Sequence, residues 1–310
     1  MAQNFYWRMR GVDVNATIVG GMTQQDIDNQ TEVMSEAVSG ESFSRFLAIA
    51  SQKPKGEITT LNLAKFLALV GAEGASLTDL GAGVSLFGAR YSLAKSAPDG
   101  GNVHRKYTFT RGGIFPISIQ AEHGAGNATL SATLVAVSSN GEITPMVISE
   151  NVALPAGLDD TERFGLGKVT VAGQVYPGVT SATLNFGLGF ETSGSGGDPY
   201  ETLVELKTVQ PTIVYQGMDL GWVGDVAAQT PVVGRAIAHA DTSFYLRGRL
   251  KNGLFHPDGN SNHIKFTMSG LIVPSKIAGG QDKGTCELTA TGAHDGTNNP
   301  LIMAVNVPIT

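Results

Sequence analysis

Cysteine, charge and long apolar runs are all scarce in this chain of 310 residues. A single cysteine, Cys286, excludes an intrachain disulfide, and with it a secreted scaffold that depends on disulfides. No apolar run approaches the roughly 20 residues that a membrane-spanning helix needs, so we expect no membrane partner. The N-terminal stretch MAQNFYWRMRG lacks the continuous apolar region of a signal peptide, and we expect a chain that stays in a reducing compartment.

Charged residues make up only 15% of the chain, and the net charge is −6. Tight binding to nucleic acid depends on Lys and Arg side chains that neutralise phosphates, so such binding is not expected. A protein that only lets nucleic acid pass is still compatible with this composition. Along the chain we find neither a long basic run nor the interleaved aromatics that are typical of a single-strand channel.

An internal repeat is the most informative feature that the sequence does have. GVDVNATIVGGMTQQDID aligns with KVTVAGQVYPGVTSATLN at a spacing of 157 residues, which brings Val12 to Val169. The spacing becomes 159 where APDGGNVHRKYTF meets HPDGNSNHIKFTM, 158 where Ile119 meets Ile277 and Leu130 meets Leu288, and 155 near the end. The sequence predicts two tandem copies of one domain, residues 1–154 and 167–310, with a linker over residues 155–166.

Each copy is predicted to be a mainly β domain, a sandwich or barrel-like fold with about one short helix. β-Branched and aromatic runs with period-two stretches predict strands in KVTVAGQVYPGVTSATLNF, KYTFTRGGIFPISIQ, ATLSATLVAVSS and TSFYLRGRL. A helix is predicted between a cap at Thr60 and an end at Gly71, because four apolar residues share one face: Leu63, Phe66, Leu67 and Val70. Its counterpart GMDLGWVGDVAA is a weaker helix prediction, since it contains three glycines.

Two polar segments, residues 22–42 and 179–199, occupy matching places in the two copies. Their compositions differ while their flanks agree, which is typical of contact loops on a shared scaffold. The candidate contact residues are Thr23, Asp26, Asp28, Glu32, Glu36, Thr183, Asn185, Glu191 and Asp198.

The stretch HPDGNSNHIKF begins like a calcium loop, with oxygen-bearing residues at alternate positions. The sixth position of such a loop needs glycine and the twelfth needs glutamate, where this chain has His263 and Ser269. Both copies keep only a Pro-Asp-Gly turn before a strand. We therefore predict structural turns at Pro98, Asp99 and Gly100 and at Pro257, Asp258 and Gly259.

No catalytic or cofactor signature is found in the sequence. The histidines His239, His256 and His263 lack the thiolates of a structural zinc site, and FGLGKVT lacks the first glycine and the final Ser or Thr of a phosphate loop. Neither a Gly-x-Ser-x-Gly elbow nor a His-Glu-x-x-His motif occurs. We expect no enzyme activity, no metal and no cofactor.

The predicted arrangement resembles the major tail tube proteins of long-tailed bacteriophages, in particular the type in which one chain carries two tandem tube domains. The resemblance covers nearly the whole chain. It is carried by the repeat, by the helix after Thr60 and by the long segments over residues 22–42 and 179–199.

This resemblance implies homotrimeric, pseudo-hexameric rings that stack into a tube in the virion tail, from chains made in the host cytoplasm. It also implies that the inner sheets of neighbouring domains are joined edge to edge. The implied partners are further copies of the chain, other tail proteins, and DNA that passes without specific binding. The nine candidate contact residues would then touch the adjacent ring. The alternative is another phage structural protein or a receptor- or carbohydrate-binding β-sandwich, such as a capsid decoration, baseplate or fibre component.

Overall fold

The computed structural model describes residues 5–37, 44–93, 95–124, 126–159, 161–171, 173–218, 237–278, 285–294, 296–297 and 299–310. Antiparallel strands dominate this part of the chain, so the prediction of a mainly β protein is confirmed. Each of the four predicted strand segments contains strands. The weaker helix prediction falls on residues 217–228, most of which lie outside the described residues.

The first half of the chain contains twelve strands and a helix. In chain order these are β1 (Phe5–Val14), β2 (Thr17–Val19), β3 (Met22–Asp28), β4 (Thr31–Ala37), β5 (Ser44–Gln52), β6 (Lys55–Thr60), α1 (Leu63–Val70), β7 (Ala75–Ser76), β8 (Val84–Ser92), β9 (His104–Phe109), β10 (Gly112–Glu122), β11 (Thr129–Ala136) and β12 (Met146–Val152).

The second half follows with ten strands in its described residues. These are β13 (Phe164–Val171), β14 (Gln174–Val175), β15 (Val179–Asn185), β16 (Leu188–Ser193), β17 (Leu203–Val209), β18 (Thr212–Gly217), β19 (Ile237–Gly248), β20 (His263–Ala278), β21 (Thr285–Gly292) and β22 (Leu301–Val307). The first of them begins at Phe164, inside the predicted linker over residues 155–166. Leu158 of that linker is buried against Gly11.

Most strands belong to two sheets. A five-stranded sheet has the order β12-β9-β8-β1-β2. A larger sheet, which we call the central sheet, has the order β14-β13-β19-β20-β21-β18-β15-β10-β11-β6-β3 and crosses from one half of the chain to the other. Two hairpins stand apart from both sheets: the first hairpin is β4–β5 and the second hairpin is β16–β17.

Alternation of apolar and polar residues explains the core. Along β18, for example, Ile213 and Tyr215 are fully buried, while Thr212, Val214 and Gln216 are not. Such period-two strands bury one face of a sheet and leave the other to solvent. The helix α1 adds Leu63, Phe66, Leu67 and Val70 to the same core, as its spacing predicts.

The helix differs from the prediction at its start. Asn62 is the residue before the first turn, and Thr60 lies at the end of β6. The Thr60 hydroxyl donates to the Gly20 carbonyl and accepts from the Asn62 backbone N–H, at 3.1 and 3.0 Å. Gly71 ends the helix with a φ of 77°, as predicted.

The order of strand pairing is the same in the two halves. In the first half β1 pairs with β2 and β8, β8 with β9, β9 with β12, β10 with β11, β11 with β6, and β6 with β3. In the second half the same series runs through β13, β14, β19, β20, β22, β21, β18 and β15, with the single long β20 in the place of β9 and β10. The tandem duplication itself stays a prediction.

The strand registers differ from the sequence alignment at one strand. Gly112 pairs with Ala136 on β11, and Gly270 pairs with Gly292 on β21, so the two strands correspond at a spacing of 156 (292 − 136) and not 158. Leu130 therefore corresponds to Cys286 and not to Leu288. A shift of two residues in the alignment keeps every side chain on the same face of the sheet. The alternation of apolar and polar residues therefore could not reveal it.

Candidate assembly surface

The two halves of the chain are joined by a strand pair of the central sheet. β10 of the first half pairs antiparallel with β15 of the second, with Ser118 opposite Asn185 and Gln120 opposite Thr183. The pair continues at both ends, where Phe186 N–H donates to the Ile117 carbonyl at 3.0 Å and His123 N–H donates to the Thr180 carbonyl at 2.8 Å. The halves therefore share backbone hydrogen bonds in one continuous sheet.

One face of this junction belongs to the core. Ile119 lies opposite Leu184, and Ala121 lies opposite Ala182; all four side chains are almost completely buried. Burial of such side chains stabilises a contact by about 25 cal/mol per Å² of apolar surface. The junction is thus built like the interior of a domain.

The other face of the central sheet is polar over eight adjacent strands, from β20 to β3. We call it the polar face. Because directly opposite residues of an antiparallel pair share a face, the strand registers assign its members, most of which are polar: Gln24, Asp26, Asp28, Lys55, Glu57, Thr59, Ser118, Gln120, Glu122, Thr129, Ser131, Thr133, Ser181, Thr183, Asn185, Thr212, Val214, Gln216, Lys276, Thr285, Glu287, Thr289 and Thr291. The same registers place the apolar residues Phe115, Val135, Leu271 and Val273 on this face.

Hydroxyl and amide groups dominate this polar face, and its charge is weakly acidic. It carries the carboxylates of Asp26, Asp28, Glu57, Glu122 and Glu287, against the two amines of Lys55 and Lys276. Hydrogen bonds link neighbouring strands, as between Thr59 and Ser131 and between Gln216 and Glu287, both at 3.3 Å. A surface of this kind offers phosphate groups almost no cationic partners.

The eight strands end in two open edges. β3 pairs with β6 on one side, and no described strand pairs with it on the other. At the opposite end, the part of β20 from Val273 to Ala278 pairs with β21, and within the described residues its second side has no strand. Unpaired backbone groups along an edge are a template for a further strand.

The second hairpin lies against the first half of the chain. Phe190 stacks on Phe115, with ring centroids 4.6 Å apart and planes inclined by 10°. Backbone hydrogen bonds add to this contact: Gln52 N–H donates to the Pro199 carbonyl at 2.7 Å, and Ser138 N–H donates to the Glu201 carbonyl at 2.7 Å.

The first hairpin is exposed over residues 31–35, while Ser51 and Gln52 at the end of β5 are half-buried. Val33 and Met34 are 59% and 44% exposed, which is high for apolar side chains. Its register matches that of the second hairpin. Thr31 pairs with Gln52 and Val33 with Ile49, as Leu188 pairs with Val209 and Phe190 with Leu206.

The nine predicted contact residues lie mostly in strands, which corrects their assignment to loops. Thr23, Asp26 and Asp28 are in β3, Glu32 and Glu36 in β4, Thr183 and Asn185 in β15, and Glu191 in β16; only Asp198 lies in a turn, beside Gly141. Polar composition suggested loops, but an exposed sheet face is equally polar. The β15 pair belongs to the junction inside the chain, and contact with an adjacent ring stays a prediction.

The first Pro-Asp-Gly segment forms a buried polar cluster. Asp99 accepts hydrogen bonds from Ser92 Oγ at 2.7 Å and from Arg90 Nε at 3.0 Å, which lowers the pKa of its carboxyl group. His104 is buried nearby, and its Nδ1 accepts from the Arg90 backbone N–H at 3.1 Å. Burial lowers the pKa of this imidazole.

The second segment is more open. Asn260 N–H donates to the Pro257 carbonyl at 3.0 Å and closes a turn over Asp258 and Gly259. Asp258 forms a salt bridge with Arg247 at 2.8 Å, with 58% of its side chain exposed. His263 is fully buried and accepts from the Gly248 N–H at 3.0 Å, the same contact that His104 makes.

Aromatic rings and arginines meet across β1, β8 and β9, although they do not interleave along the chain. Tyr6 and Tyr91 stack at 5.3 Å, and the Arg8 guanidinium lies within 5.5 Å of both ring centres. Arg105 lies 4.6 Å over the Trp7 ring. The sequence does not reveal this cluster because the neighbouring residues lie on different strands. Its rings already stack on each other or on cations.

Within the described residues no group of His, Cys, Asp and Glu could hold a metal ion, and no helix is long and apolar enough to cross a membrane. No protein-family model matches the chain, and no curated protein matches it either.

Proposed function

We propose that this protein is a structural subunit that assembles with copies of itself into rings, and that the stacked rings form a tube of the bacteriophage tail type. The junction between β10 and β15 is the observation that supports the proposal. It joins two halves with the same pairing order side by side in one sheet. Repetition of the same contact between chains would extend the sheet, and rotational symmetry would close it.

The size of the sheet agrees with a channel. Three chains would contribute about 24 strands, and a spacing of about 4.8 Å per strand gives a circumference of roughly 115 Å. Such a ring is at least about 35 Å across between backbones, since strand tilt only widens it. We propose that the polar face lines this channel. Its hydroxyl, amide and carboxylate groups would let DNA slide without binding.

A carbohydrate-binding module is supported less well. Sugar rings stack on open aromatic faces, whereas Trp7 has Arg105 over it and Tyr6 has Tyr91 and Arg8. Trp222, the second tryptophan, lies outside the described residues. Other structural roles in a virion would use the same edges, and electron microscopy separates them from a tube.

Negative-stain microscopy together with a mass measurement tests the assembly. We expect rings or tubes with three chains per ring at high protein concentration. A monomer that stays dispersed at every concentration would contradict the proposal, and specific retention on a glycan array would favour the binding module.

The channel assignment has a separate test with a matched control. Gln120→Lys with Thr183→Lys adds two cations to the polar face, and Ile148→Lys with Ile302→Lys adds two to exposed positions on β12 and β22. Each variant is assembled with a short DNA duplex and treated with nuclease. We expect protected DNA with the first variant only. Equal protection with both would contradict the assignment of the polar face to the channel.

A further inference from the structure

We infer that β3 of one chain pairs with the open end of β20 in a second copy, in the register that β15 and β10 adopt within the chain. This inference rests on the proposed assembly and names the partner segments and their alignment. In this register Lys276 of one copy lies opposite Asp28 of the next.

The two open edges correspond to the two strands of the internal junction. β3 pairs with β6 through Met22 and Thr60, with an irregularity before Gln24, and β15 pairs with β18 through Val179 and Gly217, with an irregularity before Ser181. Val179 follows Met22 by 157 residues (179 − 22), and Gly217 follows Thr60 by the same number. β3 is therefore the counterpart of β15.

The open part of β20 is the counterpart of β10. β10 pairs with β11 from Gly112 onward, and β20 pairs with β21 from Gly270 onward. In each pair the register shifts directly after a proline, Pro116 in β10 and Pro274 in β20. The spacing here is 158 residues (270 − 112). Both glycines have a positive φ, and a Cβ at either would lie about 2 Å from a carbonyl oxygen of the paired strand.

Transfer of the internal register gives the alignment between chains. Within the chain Ser118 lies opposite Asn185, so between chains Lys276 would lie opposite Asp28. In the same way the pair Ile119 and Leu184 gives Ile277 opposite Ile27. The polar face would then continue without interruption from one chain into the next, because side chains alternate between faces with a period of two.

Charge supports this partner over other strand pairs. Lys276 and Asp28 are both exposed, and opposite charges on directly opposed residues stabilise a strand pair. Two β3 strands pairing with each other would instead bring together edges that carry Asp26 and Asp28. The acidic edge thus disfavours pairing with itself and favours an edge that carries a lysine.

Burial supports a neighbour at the same edge. Ile27 packs only partly against the core, while its counterpart Leu184 is completely buried beside β10. Gln25 is 7% exposed, and its side-chain amide finds no hydrogen-bond partner among the described residues. Both features are expected of a strand whose second neighbour belongs to another chain.

Disulfide cross-linking tests the register. The variant Lys276→Cys with Asp28→Cys is assembled and mildly oxidised, and its products are separated without reductant. Opposed Cβ atoms lie within disulfide reach, so we expect most chains to be linked into dimers and trimers, about tenfold faster than in the displaced variant Lys276→Cys with Asp26→Cys. Each single variant controls for the native, buried Cys286.

Charge reversal gives a second readout without cysteines. Lys276→Asp and Asp28→Lys should each raise the protein concentration at which rings form, and the double variant should restore it. Circular dichroism of the dispersed chains checks that the variants fold.

The outcomes separate the register from the assembly. Rings that form but link through the displaced pair, or through neither pair, overturn the register and leave the proposed function standing. Absence of rings in the unmodified protein at every concentration overturns both.

Discussion

The two hairpins have the same register and different surroundings. In each hairpin the pairing of the two strands shifts at a matching position. The shift comes directly before Val33 in the first hairpin and directly before Phe190 in the second. Phe190 stacks on Phe115 of the first half of the chain, whereas Val33 is 59% exposed. The position that is covered in the second hairpin, Phe190, is therefore exposed at its counterpart Val33 in the first.

This difference shows where the proposed assembly would place a neighbouring chain. The second hairpin is covered because the first half of the same chain precedes it. The first hairpin would need the second half of another chain, where Val273 takes the register position of Phe115. We propose that Val33 and Met34 mark a surface that would be buried in the proposed assembly.

The largest expected effect is a difference in the loss of stability between a variant at the junction and its counterpart at the open edge of β3. Leu184→Ala removes a fully buried side chain from β15 and should lower the free energy of unfolding of the dispersed chain by about 2–4 kcal/mol. Ile27→Ala, its counterpart on β3, should cost the dispersed chain about 1 kcal/mol, because this side chain is only partly buried. Urea denaturation of both variants measures the difference.

Assembly should respond in the opposite sense to this pair. Ile27→Ala should raise the concentration needed for rings, since the missing methyl groups would lie at the inferred contact between chains. Equal stability losses for the two variants, with unchanged assembly of Ile27→Ala, would show that the open edge is not a contact.

The second comparison concerns the hairpins themselves. Phe190→Ala removes the stack on Phe115 and should destabilise the dispersed chain by about 1–2 kcal/mol, since a stacked aromatic pair adds to the burial of its area. Val33→Ala should leave the dispersed chain unchanged within about 0.5 kcal/mol, because an exposed side chain contributes little. Thermal unfolding measures both. A loss of stability in Val33→Ala would place that residue in an intrachain contact.

Much of the fold could be predicted from the sequence because its signals are local. Alternation along a strand identifies the buried face, and the spacing of Leu63, Phe66, Leu67 and Val70 identifies the helix. The predicted start of α1 was wrong because the Thr60 hydroxyl makes a buried hydrogen bond with the Gly20 carbonyl. These residues are 40 positions apart, so no local pattern encodes the contact.

The candidate surface was harder to predict because strand order is not local. Residues 22–42 and 179–199 were identified as contact segments but interpreted as loops. Nothing in their composition distinguishes a loop from the exposed face of a strand. The pairing of β10 with β15, from which the polar face follows, joins residues about 60 positions apart and depends on the whole arrangement.

A smaller effect is expected at the buried amide of β3. Gln25→Leu should raise the free energy of unfolding of the dispersed chain by about 1 kcal/mol, because it removes a buried polar group that has no partner among the described residues. Its counterpart Ala182 is apolar already. Denaturation at concentrations below ring formation provides the measurement, and Gln24→Leu at the exposed neighbour is the control. Destabilisation by Gln25→Leu would indicate that the amide has a partner within the chain.

The smallest effect concerns acid, and it contrasts the two Pro-Asp-Gly segments. The pKa of Asp99 is lowered by its hydrogen bonds with Ser92 and Arg90, so its contribution to stability is present above the ordinary carboxyl pKa and is lost as pH falls through the lowered value. The pKa of His104 is lowered by burial, so the unfolded chain takes up a proton below about pH 6.5 while the folded chain does not. Both groups make the folded state less stable as pH falls.

Asp99→Asn should therefore flatten the decline of stability below about pH 4, and His104→Asn should flatten it just below about pH 6.5. Asp258→Asn is the matched control, because its carboxylate is largely exposed and surface salt bridges contribute little. For each variant, the free energy of unfolding is measured as a function of pH across both ranges, and the slope of stability against pH is compared with that of the unmodified protein. If Asp258→Asn changed the slope as much as Asp99→Asn, the acid response would not come from the buried cluster of the first half, and the contrast between the two turns would be lost.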